Sequence, residues 1–357
     1  MDRTVKSFFT FCLTMILLAP SIVKAEDDLK SGAWVPLPAI SSSPETGFEL
    51  GAYVMRLFPQ QDLDIPRNRL EVLLSGTSKG LFQGYVWPTY YVNEDLQWVG
   101  TFGGSYWPGT YYGVGNDFDE LGPTESYEAR TAVMDLWLSK RWFGDLWWSV
   151  GLLSEYEQLT QDDTVNLIDE NTPGVGDVFY RGIGLSASYD RRDNGDFPTQ
   201  GLFLGSSLVY YDTGDLNFTR GSLRVSHNVP AGDSLVFASG ARIISSSEDT
   251  PFRKLPAPSG SSILRGANSA HFVDRQLLAA QVEMRWSVAQ SWGIGVFIDG
   301  AQVAPNINDF ASDRFHSSIG AGFRYNTLKD ERLNVRADIA LVDGESIGMA
   351  ISIGEAF

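Results

Sequence analysis

The sequence reads as an all-β chain folded into a transmembrane antiparallel β-barrel, most simply of sixteen strands, and three features carry that reading. First, the closing segment Glu345–Phe357 alternates large apolar Ile347, Met349, Ile351 and Ile353 with small or polar Gly348, Ala350, Ser352 and Gly354, and it ends on an aromatic residue. Period two sends the two sets to opposite faces of a strand. At the edge of a soluble sheet such a strand would expose an unpaired ladder and a row of large apolar side chains, an aggregation hazard. As the closing strand of a barrel it has a lipid face and a lumen face. Second, charge falls on one face only along the chain. Leu278, Ala280, Val282, Met284 and Trp286 oppose Gln281, Glu283 and Arg285. Val335, Ala337, Ile339 and Leu341 oppose Asn334, Arg336 and Asp338, and Leu70, Val72 and Leu74 oppose Arg69 and Glu71. Third, aromatic residues make up 13% and glycine 36 of 357 residues, which suits aromatic girdles and a small-residue lumen. Beyond the amino-terminal segment there is no apolar run of about 18 residues that would cross as a helix.

The amino end has the layout of a secretory signal. Arg3 and Lys6 form its basic region, Phe8 to Leu18 its apolar core, and Val23-Lys24-Ala25 a cleavage site after Ala25. The core is too short to span a bilayer. The single cysteine, Cys12, lies inside it, so cleavage leaves neither a lipoprotein cysteine nor a disulfide. Residues 26–33 then form a short periplasmic tail, and 34–357 the barrel.

Fifteen segments alternate well: 47–58, 69–79, 81–91, 96–107, 126–139, 146–159, 179–190, 200–211, 216–228, 233–246, 273–289, 292–304, 314–326, 332–342 and 346–357. An odd count would leave the amino end outside the cell, whereas a signal-bearing barrel starts in the periplasm with an even count. A sixteenth strand is therefore expected at 34–42, before a turn at Pro44–Gly47. Pro36 and Pro38 weaken it, because proline cannot donate to a ladder. A first strand tolerates one poorly paired edge, so the prolines point to a loose seam with the last strand, where Gly348, Gly354 and Phe357 lie. With Phe357 periplasmic, the long connections near 107–125, 160–178, 247–272 and 304–313 fall outside. The short ones at 92–95, 140–145, 229–232, 290–291 and 327–331 fall inside, the asymmetry of an outer-membrane barrel of a Gram-negative cell.

The formal charge is -17. The signal carries Arg3, Lys6 and Lys24 against Asp2, a net +2, so its removal leaves about -19. So acidic a chain is a poor partner for nucleic acid. His227, His271 and His316 are the only histidines, and no spacing among them suggests zinc. A hydrolase needs a nucleophile, a histidine and an orienting group in reach. Ser226 and His227 are neighbours on opposite faces, and His316 and Ser318 share a face without an evident orienting group. No enzyme site and no cofactor are expected. Two outer loops, with Asn116, Asp117, Asp119 and Glu120 in one and Asp162, Asp163, Asp169 and Glu170 in the other, offer oxygen ligands to a divalent cation or are simply solvated tips.

Four motifs remain: Leu264-Arg265-Gly266 in the sixth outside loop, Gln281 to Trp286 in the strand after it, Phe297 to Ala301 in the next strand, and Tyr189 to Asn194 with Phe197 to Gly201. In this order and spacing they resemble the outer-membrane assembly-factor superfamily, the bacterial surface antigen family that contains BamA and TamA, over roughly residues 45–357. The resemblance implies that the sixth loop folds back into the lumen and that Arg265 meets Glu283 and Asp299. Alternation independently places both acids on lumen faces of adjacent strands, where an arginine fork can bridge two carboxylates. The alternative is that Glu283 and Arg285 balance wall charges while Arg265 is solvated. Here Gly300 follows Asp299 directly, with Ala301 where the family usually has its glycine. The stretch 26–42 is also too short to encode the client-receiving periplasmic domains of the family's classical members. The Tyr189–Gly201 segment reads as turn chemistry, with Arg191 and Arg192 in reach of inner-leaflet phosphates or a periplasmic partner. The implied function is assistance in inserting or transporting proteins or lipids at the outer membrane. The implied partners are outer-membrane lipids, client proteins or lipids and a separate periplasmic chain. A passive porin-like channel and an outer-membrane hydrolase are the alternatives.

Overall fold

Alternation becomes sixteen antiparallel strands, each hydrogen-bonded to its neighbours in sequence. They are β1 (Ala33–Ser43), β2 (Gly47–Leu57), β3 (Arg69–Thr77), β4 (Phe82–Asn93), β5 (Leu96–Tyr111), β6 (Glu125–Phe143), β7 (Leu146–Gln161) and β8 (Gly176–Asp190). There follow β9 (Gly201–Asp212), β10 (Asn217–Pro230), β11 (Leu235–Ser246), β12 (Gln276–Ala289), β13 (Trp292–Ala304), β14 (His316–Leu328), β15 (Leu333–Val342) and β16 (Ser346–Ile353). The structure is a computed structural model that describes residues 32–43, 47–59, 65–117, 122–161, 167–168, 172–258, 262–267, 271–328 and 332–357. The signal expected at 1–25 and nearly all of the tail at 26–33 lie outside the described residues.

The two faces separate as the pattern requires. Val282 and Trp286 are 53% and 54% exposed, while Glu283 and Arg285 between them are buried. Outward apolar and inward polar side chains are what a lipid-facing barrel wall demands.

The strand expected at 34–42 exists as β1, with Val35 fully buried and Trp34 outside. Its register with β2 runs unbroken through Pro36 and Pro38. A proline inside an intact ladder must turn its missing N–H away from that partner. Residues two apart share an edge, so both prolines withhold donors from the edge that faces β16. Cα atoms of β1 and β16 come within 8 Å, yet no ladder among the described residues joins them. Side chains close the seam instead: Val35, Met55, Leu57 and Leu333 form a buried apolar cluster, with Leu37 and Ile353 packed on it.

The expectation of one strand over 346–357 needs correction. The ladder ends at Ile353. Gly354 takes a left-handed φ of +73°, which glycine adopts without the Cβ penalty, and the last residues turn into the lumen. Ala356 and Phe357 are buried against Ala238 of β11, and the Phe357 ring lies 5.5 Å from the Arg285 guanidinium. Phe357 therefore sits away from the seam, because the lumen offers it an apolar and cationic bed.

Candidate functional site in the lumen

The sixth outside loop, between β11 and β12, enters the barrel and is held at two walls. On the first, a 3-10 turn at Phe252–Lys254 docks on β7. Arg253 Nε lies 2.9 Å from Glu157 Oε2, and Lys254 Nζ lies 2.6 Å from Glu155 Oε1. On the second, Leu264 packs with Ile244, Leu277, Ala279, Ala301 and Val303, and Arg265 is completely buried beside it.

Arg265 uses nearly every donor it has. Its backbone N–H and Nε donate to Asp299 Oδ2 at 3.1 and 2.8 Å, and Nη2 donates to Asp299 Oδ1 at 2.7 Å. Nη1 donates to Glu283 Oε2 at 2.6 Å, and the guanidinium lies 3.4 Å from the Phe297 ring centroid. Its carbonyl accepts from Ser318 Oγ at 2.6 Å. Strand order explains the meeting: Glu283 lies opposite Phe297, and Gln281 opposite Asp299, across the β12–β13 register.

The network extends beyond the residues read from the sequence. Glu283 Oε1 also accepts from Arg324 Nη2 at 2.6 Å and from Arg285 Nε at 3.2 Å. Arg324 Nη1 donates to Asp338 Oδ1 at 2.6 Å, Arg324 Nε lies 3.3 Å from Glu355 Oε2, and Arg336 Nη1 lies 3.2 Å from Asp338 Oδ2. Four arginines thus meet four carboxylates: Arg265, Arg285, Arg324 and Arg336 against Glu283, Asp299, Asp338 and Glu355. A buried network of this kind is tolerable only because the charges match and donors find acceptors. Alternation had placed Arg336 and Asp338 inward, while Arg324 was not singled out from the sequence. Nothing local in the sequence signalled Glu355, which joins only because Gly354 turns.

Space for the network comes from glycine. A Cβ at Gly295 would stand 2.8 Å from Arg324 Cζ and 2.9 Å from Glu283 Oε1. Gly348, expected at the seam, instead lets the loop tip approach β16: a Cβ there would press on the Gly266 backbone, its carbonyl carbon 2.6 Å away. Gly266 itself has a φ of +87°. Gly300 stands apart from the network, its nearest neighbour in that sense being Phe315, whereas Ala301 is fully buried behind the loop. Pro36 and Pro38 lie at the seam, Gly354 follows Ile353 at the edge of the seam cluster, and Phe357 lies away from it.

A second obstruction crosses the end where β16 finishes, periplasmic in the orientation above. The β8–β9 connection, residues 191–200, spans the mouth as a crossbar. Arg332 donates to Asp193 Oδ2 at 2.7 Å and to the Phe197 carbonyl at 2.6 Å. Arg285 Nη1 donates to the Pro198 carbonyl at 3.2 Å, and Arg69 Nη1 lies 3.6 Å from Asp196 Oδ2. The Glu355 N–H donates to the Asp196 carbonyl at 3.0 Å. Arg192 turns inward onto Asp190 and Arg191 pairs with Asp145. The turn chemistry is present, with Asn194 Oδ1 accepting from the N–H groups of Asp196 and Phe197, but the position of the loop could not be read from it.

Partial burial pushes the Asp193 carboxyl up, but hydrogen bonds from Thr199 and Arg332 and from the N–H groups of Thr199 and Gln200 outweigh it and hold the group at about 2. An unfolded aspartate titrates near ~3.9. A folded value below the unfolded one gives stability that is complete above about pH 4 and is lost as pH falls toward 2. The thermal-unfolding gap between wild type and Asp193→Asn should therefore be constant above that range and close below it. A gap that persists unchanged at pH 2 would show that Asp193 does not hold the crossbar through its charge.

His316 and Ser318 share the lumen face, but each is engaged elsewhere. His316 Nδ1 lies 2.8 Å from Asp343 Oδ2 and Nε2 lies 2.6 Å from the Asn116 carbonyl oxygen, while Ser318 serves Arg265. Asp343 is an orienting partner that the sequence did not reveal. Asn116 accepts from the Val303 N–H and donates to the Arg314 carbonyl, and Asp117 pairs with Arg314. Among the described residues no group of three or more His, Cys, Asp or Glu is placed to hold a metal ion. Asp119, Glu120, Asp162, Asp163, Asp169 and Glu170 lie outside the described residues.

A sixteen-stranded barrel with a loop folded into its lumen and held by an arginine defines a class of outer-membrane β-barrel. The sequence model of the Omp85 superfamily domain matches residues 118–350, and the chain belongs to the Omp85 superfamily. No curated protein matches by sequence. Among solved structures, BamA from Haemophilus ducreyi lacking POTRA domains 1–3 is similar with a TM-score of 0.60 at 14% identity, over 91% of this chain and 70% of that one. CdiB from Escherichia coli gives 0.61 at 13%, over 92% and 63%, and CdiB from Acinetobacter baumannii gives 0.59 at 14%, over 91% and 59%. These likenesses describe the fold, and the chain spans less than two thirds of either CdiB.

Proposed function

We propose that this barrel assists the insertion or transport of proteins or lipids at the outer membrane, acting with clients from the membrane or periplasm and with a separate periplasmic partner. The observation that carries the reading is the seam. β1 and β16 are neighbours without a ladder, and both prolines face the gap. An unladdered seam opens at the cost of an apolar cluster alone, and an opened edge offers backbone groups to an incoming strand. In this reading Arg265, Glu283, Asp299 and their neighbours keep the barrel in shape while the seam works. The loop in the lumen and the crossbar at the mouth argue against a passive pore.

Restoring the donors tests the reading. Pro36→Val with Pro38→Val supplies two N–H groups to the β16 edge. Each new hydrogen bond is worth about 0.5–1.5 kcal/mol net, so the thermal midpoint should rise. Outer membranes of cells that depend on the variant should then show the client defect of a deletion strain, read as loss of particular outer-membrane proteins or of lipid asymmetry. A zipped, more stable barrel that supports a wild-type outer-membrane proteome and lipid distribution would refute seam-based assistance.

A further inference from the structure

The wall formed by β10 and β11 breaks the charge rule that the rest of the lumen obeys. Arg220, Ser222 and Arg224 lie along one face of β10, and Arg242 lies on the same face of β11, directly opposite Arg224 in the register. Like charges opposed across an antiparallel pair destabilise it. Elsewhere in the lumen arginines meet carboxylates. Among the described residues none of Arg220, Arg224 and Arg242 has a carboxylate at ion-pair distance. Arg224 Nε is buried without a hydrogen-bond partner. Its guanidinium lies 5.3 Å from the Phe203 ring, which also carries Arg192 at 4.6 Å. Asp190, an acid near Arg224, is spent on three bonds from Arg192 at 3.1, 2.9 and 2.7 Å.

What surrounds the arginines is small and hydroxylated. Ser222 lies between Arg220 and Arg224 in sequence, and its Oγ is 2.8 Å from that of Ser207. Ser186 lies opposite Ser207, and Gly205, which lies opposite Arg224, adds no side chain. An acidic chain that faces three arginines toward one another, with hydroxyls beside them and no carboxylate at ion-pair distance, has built the complement of an oxyanion. Guanidinium groups bind phosphate and sulfate oxygens through charge-assisted forks, and hydroxyls add donors that rotate to suit.

We propose that Arg220, Arg224 and Arg242, with Ser207 and Ser222, form a lumenal binding site for a phosphate-type oxyanion. The site shares no residue with the Arg265 network or the seam, so it stands apart from the assembly reading. The phosphate belongs either to a soluble ion or to a lipid headgroup, and the test separates these sources.

The signal-free chain, refolded into phosphorus-free detergent, is titrated with sodium pyrophosphate against sodium chloride of equal ionic strength, with thermal unfolding as the readout. Pyrophosphate should raise the midpoint saturably in wild type. Arg224→Gln and Arg242→Gln should each weaken the apparent affinity about tenfold or more. In chloride buffer free of phosphate and sulfate both variants should unfold no earlier than wild type, since each removes a like-charge pair. A second arm assays phosphorus bound to protein extracted from outer membranes and washed free of loose lipid. Bound phosphorus that falls in both variants, without a pyrophosphate response in the refolded protein, assigns the site to a lipid headgroup. A pyrophosphate response without bound phosphorus assigns it to a soluble ion. The proposal is overturned if neither arm depends on the arginines, or if both variants unfold early in chloride buffer free of phosphate and sulfate and titrate like wild type.

Discussion

Arg265→Ala is expected to destabilise the barrel by about 3–5 kcal/mol, the usual cost of leaving a buried ion-pair partner uncompensated. The substitution strips Asp299 of two side-chain donors and Glu283 of one; the backbone N–H of residue 265 still reaches Asp299 only while the loop stays docked. Gln281 still reaches Asp299 at 3.2 Å, and Arg285 and Arg324 still hold Glu283. Asp299 is thus the residue left most exposed to the loss. Arg265→Lys keeps the charge but not the fork, and should recover only part of the difference. Unfolding by denaturant in detergent measures the stability change. Single-channel recording measures its consequence, because a released loop no longer obstructs the lumen and Arg265→Ala should show openings that wild type lacks. Large ohmic openings in wild type that are unchanged in Arg265→Ala would instead favour the passive channel.

Gly348→Ala should release the same loop without removing any of its charges. The new Cβ would meet the Gly266 backbone, and backbone cannot rotate aside as a side chain can. Overpacking of this kind costs about 1–3 kcal/mol. Either the loop tip lifts from β16 or β16 bends away, and lifting the tip pulls Arg265 off Asp299. The double variant Gly348→Ala, Arg265→Ala should therefore cost less than the two single costs combined, since both act on one docked unit. Gly195→Ala is the control, because a Cβ there meets nothing within 4 Å. Strict additivity, or a Gly348→Ala protein as stable as the control, would show that the loop does not rest on β16.

Strand count, strand faces and the inward placing of Glu283 and Asp299 were legible because each follows from period two plus neighbour order, whereas the meeting of Arg265 with those acids was legible only through the family resemblance. Even β1, weakened by its prolines, was demanded by parity. The parts that were not legible depend on distance in space alone. Gly348 reads as a seam residue from its place in the last strand, and only the folded loop reveals Gly266 above it. Asp193, Asn194 and Gly201 announce a turn truthfully, but a turn that lies flat and one that spans a barrel mouth use the same local chemistry. Phe357 continues the apparent strand pattern, and only the apolar bed beside Ala238 and the guanidinium of Arg285 pull it inward.

Arg285 has a further consequence. Its Nη1 holds the crossbar through the Pro198 carbonyl, and its Nε holds Glu283, the carboxylate beneath Arg265. The axial path through the barrel is obstructed twice, and one guanidinium belongs to both obstructions. Two closures that share a fastening behave as a single mechanical part. Lifting either one loads the other, and by reciprocity whatever stabilises one in place stabilises both.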